Sequence, residues 1–453
     1  MRAAVRIRHL VSYLAFRFCV VLIRFVSLDC VFVLGQTGGE IAYRILRRRR
    51  ALALNNLRLA FGAEMSEAQL RQINRRHFQL LGANLLTGLK ASTMSHKKIW
   101  ERVTLNLRFE PRPGGGIVLL SHTGNWELYS HLGKRSPEYR YGVVYQTLAN
   151  PFIDSYVRAA RTQSGIKLFD RRTQLLSCVR FLRDGGVLAV LVDQGAGYAG
   201  LWMPLFGKLT SSSTLAASLA LRMGLPVVPL AITTSGRARW KLDVSEPIYL
   251  KGDDPEILTA QINRLLEEQI RRAPADWLWA HNRWKPLRPH FLFARDQRRV
   301  FFPPGFDRST LEPFRILIIA PDSVAEAAAI FPAVRAIKEG RPDISLTVLT
   351  DARSAEAWNG NRLKDHLIEW HREESAFSLS SKIRKAARFE VAIFFANTWK
   401  TSLAVWGAGI PLRVGRRCGF KSWLYNQHPA EPSQPLDPVQ MNLHIAHSVG
   451  ANI

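Results

Sequence analysis

Residues 117–127 read IVLLSHTGNWE, and they carry the clearest signal of the fold class. The run IVLLS is short and almost wholly apolar, as expected of a strand that is buried on both faces of a parallel sheet. Gly124 permits a tight turn, and Glu127 begins the helical pattern that follows. His122 therefore lies at the carboxyl end of a strand, where open α/β sheets place their ligand crevice.

Outward from this stretch, short apolar runs alternate with helical patterns. The predicted strands lie at residues 141–145, 186–193 and 226–232, and the predicted helices at residues 154–165, 213–223 and 254–273. This alternation is typical of an α/β fold with a mixed, mainly parallel sheet that is flanked by helices. Residues 51–100 read as helices and precede the sheet.

A change of composition divides the chain. Residues 291–313 are rich in proline and arginine, which is typical of a linker. A second α/β pattern follows, with strands predicted at 315–320, 344–350 and 390–396 and a helix at 323–339. We therefore expect a membrane-surface segment at 1–50, a larger α/β domain at 51–290, the linker at 291–313 and a smaller Rossmann-like α/β domain at 314–453.

The positive charge is concentrated in the first two thirds of the chain. The protein carries 63 Lys and Arg against 36 Asp and Glu, a net charge of +27, and residues 1–305 hold +24 of it. This excess predicts an anionic partner there: phospholipid, phosphorylated glycolipid, acidic carrier protein or nucleic acid. A GC-rich genome, which raises arginine without any function, is the alternative source of the excess. The hydrophobic content of 47% excludes a disordered tail protein.

The N-terminus favours a membrane surface. Residues 10–34 are apolar, but Arg17, Arg24 and Asp29 leave no charge-free run of about 18 residues. Arg17 and Arg24 share one helical face, which predicts an interfacial amphipathic helix; four arginines follow at 47–50. A signal peptide with a broken apolar core and a buried helix pair are the alternatives.

Cysteine and glycine patterns argue against cofactors. The four cysteines contain no CxxC pair, which excludes a disulfide scaffold and disfavours a structural zinc site. Residues 195–200 spell GxGxxG after a strand, but Pro204 prevents the helix that a dinucleotide fingerprint needs. We therefore expect a loop beside Asp193, with no metal and no cofactor.

Two segments match the spacing H-x4-[DE]: His96 to Glu101 and His122 to Glu127. About one chance match is expected, so the context decides. His96 lies in a lysine-rich helical stretch with no strand before it, and we interpret it as a surface residue. His122 follows a buried strand, and a carboxylate beside it would equip it to act as a general base toward an alcohol. A helix-capping histidine is the alternative.

The blocks that follow this motif strengthen the catalytic interpretation. In order along the chain they are Tyr145-Gln146, Asn150-Pro151, Arg161, Asp193-Gln194 and residues 204–208 (PLFGK). With the arginine run, residues 53–61 (ALNNLRLAF) and residues 277–285 (WLWAHNRWK), this order resembles the lipid A biosynthesis (late) acyltransferase family of the lysophospholipid acyltransferase superfamily. The resemblance covers roughly residues 10–290. The family pattern is usually HFGNWE, and here Thr123 replaces the aromatic residue.

The resemblance implies an acyltransferase-type mixed sheet, with His122 and Glu127 as the catalytic dyad and Glu127 orienting His122. Arg161 and Asp193 are implied as further active-site residues; a helix-surface arginine and a loop-capping aspartate are the alternatives. The implied substrate-binding residues are Asn125, Tyr145, Asn150, Gln194, Phe206 and Gly207. We expect a ring nitrogen of His122 to hydrogen-bond Glu127 at the mouth of an apolar groove.

The implied reaction is the transfer of a fatty acyl chain from an acyl thioester to a hydroxyl of a lipid A precursor, in lipopolysaccharide biosynthesis. His122 would deprotonate the hydroxyl, and Arg161 or backbone amides would stabilise the oxyanion. The implied partners are acyl carrier protein or acyl-coenzyme A, an anionic glycolipid acceptor and the membrane surface. The implied location is the cytoplasmic face of the cell inner membrane.

Residues 314–453 resemble a second family, the heptosyltransferases of lipopolysaccharide core synthesis. The similar stretches are residues 315–343, which begin RILIIAPDS, and residues 403–415 (LAVWGAGIPLRVG). That family usually has Gly-Asp in its first loop, and here the positions read Ala325-Glu326. The stretch corresponds to about half of that two-domain fold, so we expect a glycosyltransferase-like half-domain without independent glycosyl transfer.

Three other functions remain open from the sequence. They are acyl transfer to another anionic glycolipid, non-catalytic lipid binding on the same fold, and glycosyltransferase-related activity through the C-terminal domain. We expect no nucleic-acid partner, because the chain has no zinc-ligand spacing, basic heptad helix or RNA-binding aromatic signature.

Overall fold

The computed structural model describes residues 2–107, 114–249, 254–396 and 398–453. The chain divides into two compact units. The first comprises Met1–Phe206 and Thr210–Trp284, and the second comprises Gly207–Leu209 and Lys285–Ile453.

A group of long helices precedes the first sheet: α1 (Arg2–Arg24), α2 (Leu28–Ile45), α3 (Arg47–Phe61) and α4 (Glu67–Ala91). The single helix predicted over residues 10–34 is wrong, because the chain breaks between Arg24 and Leu28. Ser27 is the N-cap of α2 and accepts a hydrogen bond from the Cys30 N–H. Within the described ranges, no helix has both the length and the apolar content needed to cross a bilayer.

Helices α2 and α4 approach each other at backbone contact. A Cβ atom at Gly39 would lie 2.0 Å from the carbonyl oxygen of Phe78, and one at Gly35 would lie 2.6 Å from Cα of Ala83. Only glycine leaves room for the facing backbone at these two positions. A Cβ atom at Gly38, one residue before Gly39, would meet no described atom within 4 Å, so this position faces away from α4.

The described part of the first unit contains nine strands, with the first two residues of the seventh, Lys208 and Leu209, assigned to the second unit. They are β1 (Val103–Leu107), β2 (Gly116–Leu120), β3 (Tyr141–Tyr145), β4 (Lys167–Asp170), β5 (Val187–Leu191), β6 (Leu201–Leu205), β7 (Lys208–Ser212), β8 (Val227–Gly236) and β9 (Arg239–Val244). Its further helices are α5 (His96–Trp100), α6 (Leu132–Arg135), α7 (Pro151–Thr162), α8 (Leu175–Arg183), α9 (Leu215–Met223) and α10 (Pro255–Arg272).

Seven of these strands form one mixed sheet in the order β1-β9-β8-β2-β5-β3-β4. Every pair is parallel except β8 with β9, which is antiparallel. Strands β6 and β7 form a separate hairpin. The predicted α/β class, with a mainly parallel mixed sheet, is therefore confirmed.

Strand β2 is central because both of its faces are apolar. Ile117 and Leu119 pack into one hydrophobic cluster, and Val118 and Leu120 pack into the cluster on the other face of the sheet. A strand covered on both faces needs a continuous apolar run rather than alternation. The run at 117–120 therefore fixes β2 in the middle of the sheet and carries His122 to its carboxyl edge.

The second unit is a five-stranded parallel sheet with helices. Its strands are β10 (Phe314–Ile319), β11 (Ile344–Asp351), β12 (His366–Trp370), β13 (Val391–Phe394) and β14 (Leu412–Val414), in the order β12-β11-β10-β13-β14. Its helices are α11 (Val324–Ala329), α12 (Phe331–Lys338), α13 (Ala376–Ala386), α14 (Trp399–Gly407) and α15 (Pro438–Ser448).

Two details of the second unit differ from the sequence expectation. The helix predicted at 323–339 is two helices, since α11 ends at Ala329 and α12 begins at Phe331. The residues Phe291, Leu292 and Phe293, at the start of the proline-rich stretch, are at most 4% exposed. Phe291 and Leu292 belong to the hydrophobic cluster of the second sheet.

Candidate active site

The site begins where two neighbouring parallel strands end. His122 follows β2, Asp193 follows β5, and these strands are paired in register. The Nδ1 atom of His122 lies 2.8 Å from Oδ1 of Asp193, and the backbone N–H of His122 donates to Oδ2 of Asp193 at 2.7 Å. One carboxylate thus fixes both the ring and the backbone of His122.

A tryptophan from far along the chain completes the carboxylate contacts. The indole N–H of Trp277 donates to Oδ2 of Asp193 at 2.9 Å. Trp277 is 1% exposed and Asp193 is 2% exposed. In the sequence, Trp277 is only the first residue of the block 277–285 that resembles the acyltransferase family. Its contact with Asp193 joins residues 84 positions apart, so no local sequence pattern reveals it.

The ionisation of the pair follows from these contacts. Burial lowers the pKa of His122, but the charge of Asp193 and the hydrogen bond to it outweigh burial, so the pKa lies above its usual value. Burial raises the pKa of Asp193, but His122 and the Trp277 N–H outweigh burial there too, so that pKa lies below its usual range. Asp193 is therefore an anion at neutral pH.

The other ring nitrogen of His122 faces a polar and an aromatic neighbour. When Nδ1 donates to Asp193, the neutral imidazole carries its lone pair on Nε2. Nε2 lies 3.3 Å from the amide nitrogen of Gln194, and the ring of Trp126 meets the imidazole edge-on at 5.3 Å. The side chain of His122 keeps 14% exposure, so a reacting group can reach it.

Glu127 has a different partner from the one predicted. Its carboxylate accepts from Nε of Arg161 at 3.0 Å and from Nη2 at 2.6 Å. The direct hydrogen bond between His122 and Glu127 expected from the motif is therefore wrong, because Asp193 takes the histidine and Arg161 takes Glu127. Glu127 still acts on His122 through space, since its negative charge helps to raise the histidine pKa.

The loop that holds His122 is braced by the segment at 276–278. The N–H of Gly124 donates to the carbonyl of Asp276, and the N–H of Leu278 donates to the carbonyl of His122, each at 3.1 Å. Gly124 has φ +52°, and a Cβ there would lie 2.4 Å from the carbonyl oxygen of Ile232. The predicted tight turn at Gly124 is confirmed, and it allows this close approach.

Arg283 is a buried cation on the same C-terminal segment of the first unit. It is 2% exposed, and it donates to Oγ1 of Thr210, the carbonyl of Ser211 and Oγ of Ser212 at 2.7 to 2.9 Å. Burial lowers the pKa of Arg283 to about 10, and the charge of Asp193 opposes this shift. Arg283 therefore holds strand β7 while contributing positive potential near Asp193.

The glycine-rich residues 195–200 form a loop, as expected. The N–H of Ala196 donates to the carbonyl of Ser211, and Oγ of Ser211 donates to the carbonyl of Gly197. The segment continues into strand β6 rather than into a helix. Strand β7 thus fixes the loop that begins with Gln194.

Two predicted substrate-binding residues are engaged by helix α7 and its surroundings. The hydroxyl of Tyr145 donates to Asp154, and Tyr145 is 5% exposed. Asn150 is the N-cap of α7, since its Oδ1 accepts from the N–H groups of Phe152 and Ile153. These contacts make both residues structural supports of α7.

Further predicted substrate-binding positions have structural tasks. Asn125 is 1% exposed, and its amide donates to Oγ1 of Thr87. Phe206 and Gly207 form the two-residue turn between β6 and β7, with φ +50° and +69°. The N–H of Phe206 donates to Oε1 of Glu267 at 2.6 Å. Gln194 is the predicted substrate-binding residue that the structure places next to the His122 ring.

His96, which we interpreted as a surface residue, is partly exposed and also has a specific partner. Its ring is partly buried and meets the ring of His131, with 2.7 Å between the two Nδ1 atoms. Burial lowers the pKa of both histidines, and that of His131 falls to about 4. One ring donates and the other accepts, so the pair is stable only while at least one is neutral.

Comparison with solved structures gives partial matches on the C-terminal part of the chain. One is a glycosyl transferase family 9 protein from Veillonella parvula DSM 2008, with a TM-score of 0.29 and 13% identity. Another is the ADP-heptose lps heptosyltransferase II of E. coli, with a TM-score of 0.28 and 22% identity. Each covers 30% of this chain and only 41% of the solved structure.

Comparison with curated proteins identifies the first unit. The lipid A biosynthesis lauroyltransferase of Escherichia coli (strain K12) is 27% identical over 277 residues, which cover 58% of this chain and 88% of that protein. Residues 1–286 match the family described as bacterial lipid A biosynthesis acyltransferase. That match includes His122, Asp193 and Trp277 and takes in more than half of the sequence, so the chain belongs to the bacterial lipid A biosynthesis acyltransferase family.

Proposed function

We propose that the protein transfers an acyl chain from a thioester to a hydroxyl of an anionic lipid A precursor, with His122 as the general base. The single observation that carries this proposal is the hydrogen bond between Nδ1 of His122 and Asp193. A base needs one nitrogen held and the other directed at substrate. This contact holds Nδ1, and in this scheme the acceptor hydroxyl replaces the Gln194 amide, which lies 3.3 Å from Nε2.

The reaction then balances with side chains that the site contains. Nε2 of His122 takes the proton of the acceptor hydroxyl while the oxygen attacks the thioester carbonyl carbon. The tetrahedral intermediate collapses with cleavage of the C–S bond, and the imidazolium returns its proton to the departing sulfur. Asp193 stabilises the imidazolium while it exists, because it remains an anion at neutral pH.

Arg161 is the proposed source of positive potential for the oxyanion. Glu127 occupies Nε and Nη2 of Arg161, which fixes the guanidinium plane and leaves Nη1 as a donor toward substrate. A preorganised donor costs little reorganisation when charge develops in the transition state. Glu127 is in this scheme a positioning residue for Arg161 and an electrostatic neighbour of His122.

The partners follow from charge. Residues 1–305 carry a net charge of +24, which favours an acidic acyl carrier protein or a coenzyme A thioester as donor and a phosphorylated glycolipid as acceptor. The basic, apolar N-terminus supports a location at the cytoplasmic face of the inner membrane, because anionic headgroups attract such a segment.

The test is acyl transfer by the purified chain from acyl carrier protein to a tetra-acylated lipid A precursor, followed by mass spectrometry. We expect a mass gain of one acyl chain, and a loss of about 100-fold or more in rate for His122→Ala. His96→Ala is the matched control, since His96 belongs to the other H-x4-E match, and it should transfer acyl chains like the parent. Equal rates for His122→Ala and the parent would refute the base assignment.

A further inference from the structure

One side of α1 carries large, exposed apolar side chains, which we call the α1 stripe. Its members follow one another at steps of three and four residues, so they share one helical face: Ile7, Val11, Leu14, Phe18 and Leu22. Each is between 51% and 64% exposed. Apolar side chains that line one helix face and remain in water indicate a surface that is covered in the working state.

The charges on α1 identify the kind of partner. The helix contains Arg6, Arg8, Arg17 and Arg24 among its described side chains, and its sequence includes no Asp or Glu. An apolar stripe flanked by arginines fits the boundary between acyl chains and anionic headgroups. The occupant that matches both features is a bilayer surface containing anionic lipid.

The opposite side of α1 is held by Asn150. While its Oδ1 caps α7, its Nδ2 donates to the carbonyl of His9 at 2.8 Å and to Oγ of Ser12 at 3.2 Å. One amide side chain therefore ties α1 to the first turn of α7. This contact gives Asn150 a structural task at the interface between α1 and α7, and its substrate binding stays a prediction.

Aromatic contacts extend the same interface. Tyr13 packs against Phe152 with 5.8 Å between ring centroids, and Phe16 meets Tyr156 edge-on at 5.3 Å. The guanidinium of Arg17 lies 5.0 Å above the Tyr156 ring. The inner side of α1 thus packs along α7 while its outer side remains apolar and exposed.

Helix α7 ends at the active site. Arg161 lies in its last turn, about 17 Å along the helix from Asn150 at 1.5 Å per residue. Arg161 holds Glu127, whose charge acts on His122. A continuous set of contacts therefore runs from the α1 stripe through α1 and α7 to Arg161 and Glu127.

We propose that an anionic membrane surface activates the acyltransferase by stabilising α1 in its docked, helical state on α7. The inference rests on the proposed function and adds its regulation. An isolated helix is marginally stable in water, and a bilayer stabilises the helical form that also presents His9 and Ser12 to Asn150. Because coupling between two sites is reciprocal, lipid that favours docked α1 also favours the ordered Arg161–Glu127 pair.

The experiment measures turnover of the full-length chain with a short-chain acyl thioester and a truncated, water-soluble acceptor. Substrate-free vesicles of phosphatidylcholine with phosphatidylglycerol are added, against vesicles of phosphatidylcholine alone. We expect the mixed vesicles to raise kcat about tenfold, which corresponds to a coupling in the usual range. Amide hydrogen exchange over Pro151–Thr162 should slow on the same vesicles, which is a readout independent of activity.

Asn150→Asp is the decisive variant. Aspartate keeps an oxygen to cap α7 but removes the donor to His9 and Ser12. It should bind the mixed vesicles like the parent and lose the activation. Phe18→Glu should lose both vesicle binding and activation, whereas Phe377→Glu, which replaces a 79% exposed phenylalanine in the second unit, should be activated like the parent.

The outcomes separate the two proposals. Activation of vesicle-bound Asn150→Asp equal to that of the parent, or parent turnover that vesicle binding leaves unchanged, overturns the coupling and leaves the proposed function intact. Equal activation by phosphatidylcholine alone overturns the requirement for anionic lipid. Absence of acyl transfer under every condition, with vesicle binding intact, overturns the proposed function and the inference with it.

Discussion

Asp193 and Glu127 divide two tasks that a single dyad carboxylate would otherwise combine. Asp193 is buried and holds Nδ1 of His122, whereas Glu127 is partly exposed and holds Arg161. In the proposed mechanism the neutral form of His122 is the base, and its raised pKa means that this form is lost as the pH falls through that pKa. In that mechanism Asp193 sets both the orientation of the proposed base and the acid limb of its pH profile.

The Asp193→Asn substitution tests this division of tasks. Removing the charge should lower the His122 pKa, move the acid limb of the kcat/KM profile to lower pH and reduce the plateau by about 100-fold. Glu127→Gln is the comparison, and it should move the limb less because Glu127 acts only through space. A larger shift for Glu127→Gln than for Asp193→Asn would restore Glu127 as the orienting carboxylate.

Trp277→Phe isolates one hydrogen bond to Asp193. Without the indole N–H the carboxylate is less stabilised, so it should attract the His122 proton more strongly and move the acid limb to higher pH. Trp279→Phe is the matched control, since Trp279 donates to the carbonyl of Pro274 instead. Both variants should lose about 1 kcal/mol of stability, but only Trp277→Phe should change the pH profile, which stopped-flow turnover measurements would detect.

Single residues also show what a sequence can reveal. His122 and Asp193 stand directly after predicted buried strands, so their place at the sheet edge was predictable. Which carboxylate reaches the imidazole was not, because the motif spacing offers Glu127 and only the pairing of β2 with β5 brings Asp193 closer. The capping and helix-docking contacts of Asn150 were not predictable either, because they depend on tertiary structure.

At the scale of elements, adjacent glycines of α2 make a controlled test of helix packing. Gly39→Ala would place a methyl group 2.0 Å from the Phe78 carbonyl, so α2 and α4 must move apart, at about 1–3 kcal/mol of stability. A methyl group at residue 38 would meet open space, so Gly38→Ala should raise the free energy of unfolding by up to about 1 kcal/mol through helix propensity. Thermal unfolding of the two variants should therefore shift in opposite directions; equal shifts would contradict the close crossing.

Prediction of the elements succeeded where an apolar run is short and continuous. Strand β3 has the bounds that its apolar run predicts. Strands β6 and β7 escaped prediction because they form a hairpin outside the main sheet, in a stretch that the resemblance implies for substrate binding. The break between α1 and α2 also escaped prediction, although Ser27 followed by Asp29 carries the local signature of a helix start.

At the scale of the whole molecule, the uneven charge predicts a salt effect. Attraction of an acidic donor to a first unit rich in arginine is screened over roughly 10 Å at 0.1 M salt. We expect the KM for acyl carrier protein thioester to rise as sodium chloride is added, while kcat with saturating donor stays constant. A KM that is independent of salt would show that the positive charge does not serve to attract this donor.

The two units also show the limits of composition as a guide to domain boundaries. The proline and arginine content of residues 291–313 predicts a linker, yet Phe291 and Leu292 pack into the second core. Apolar residues scattered among prolines give no periodic signal, so their burial follows only from the tertiary fold. The alternation of strands and helices suggests a parallel second sheet, and every strand pair in it is parallel.

The indole contact at Asp193 has a consequence for biogenesis. Trp277 leaves the ribosome 84 residues after the carboxylate that it supports, whereas α1 emerges before both of them. Because chains are made and begin to fold from the N-terminus, the helix proposed to meet the lipid surface is present long before the proposed proton acceptor is assembled. If α1 meets a membrane as proposed, the nascent chain reaches it before the Trp277–Asp193 contact exists, and the site is complete only when translation has delivered the end of the first unit.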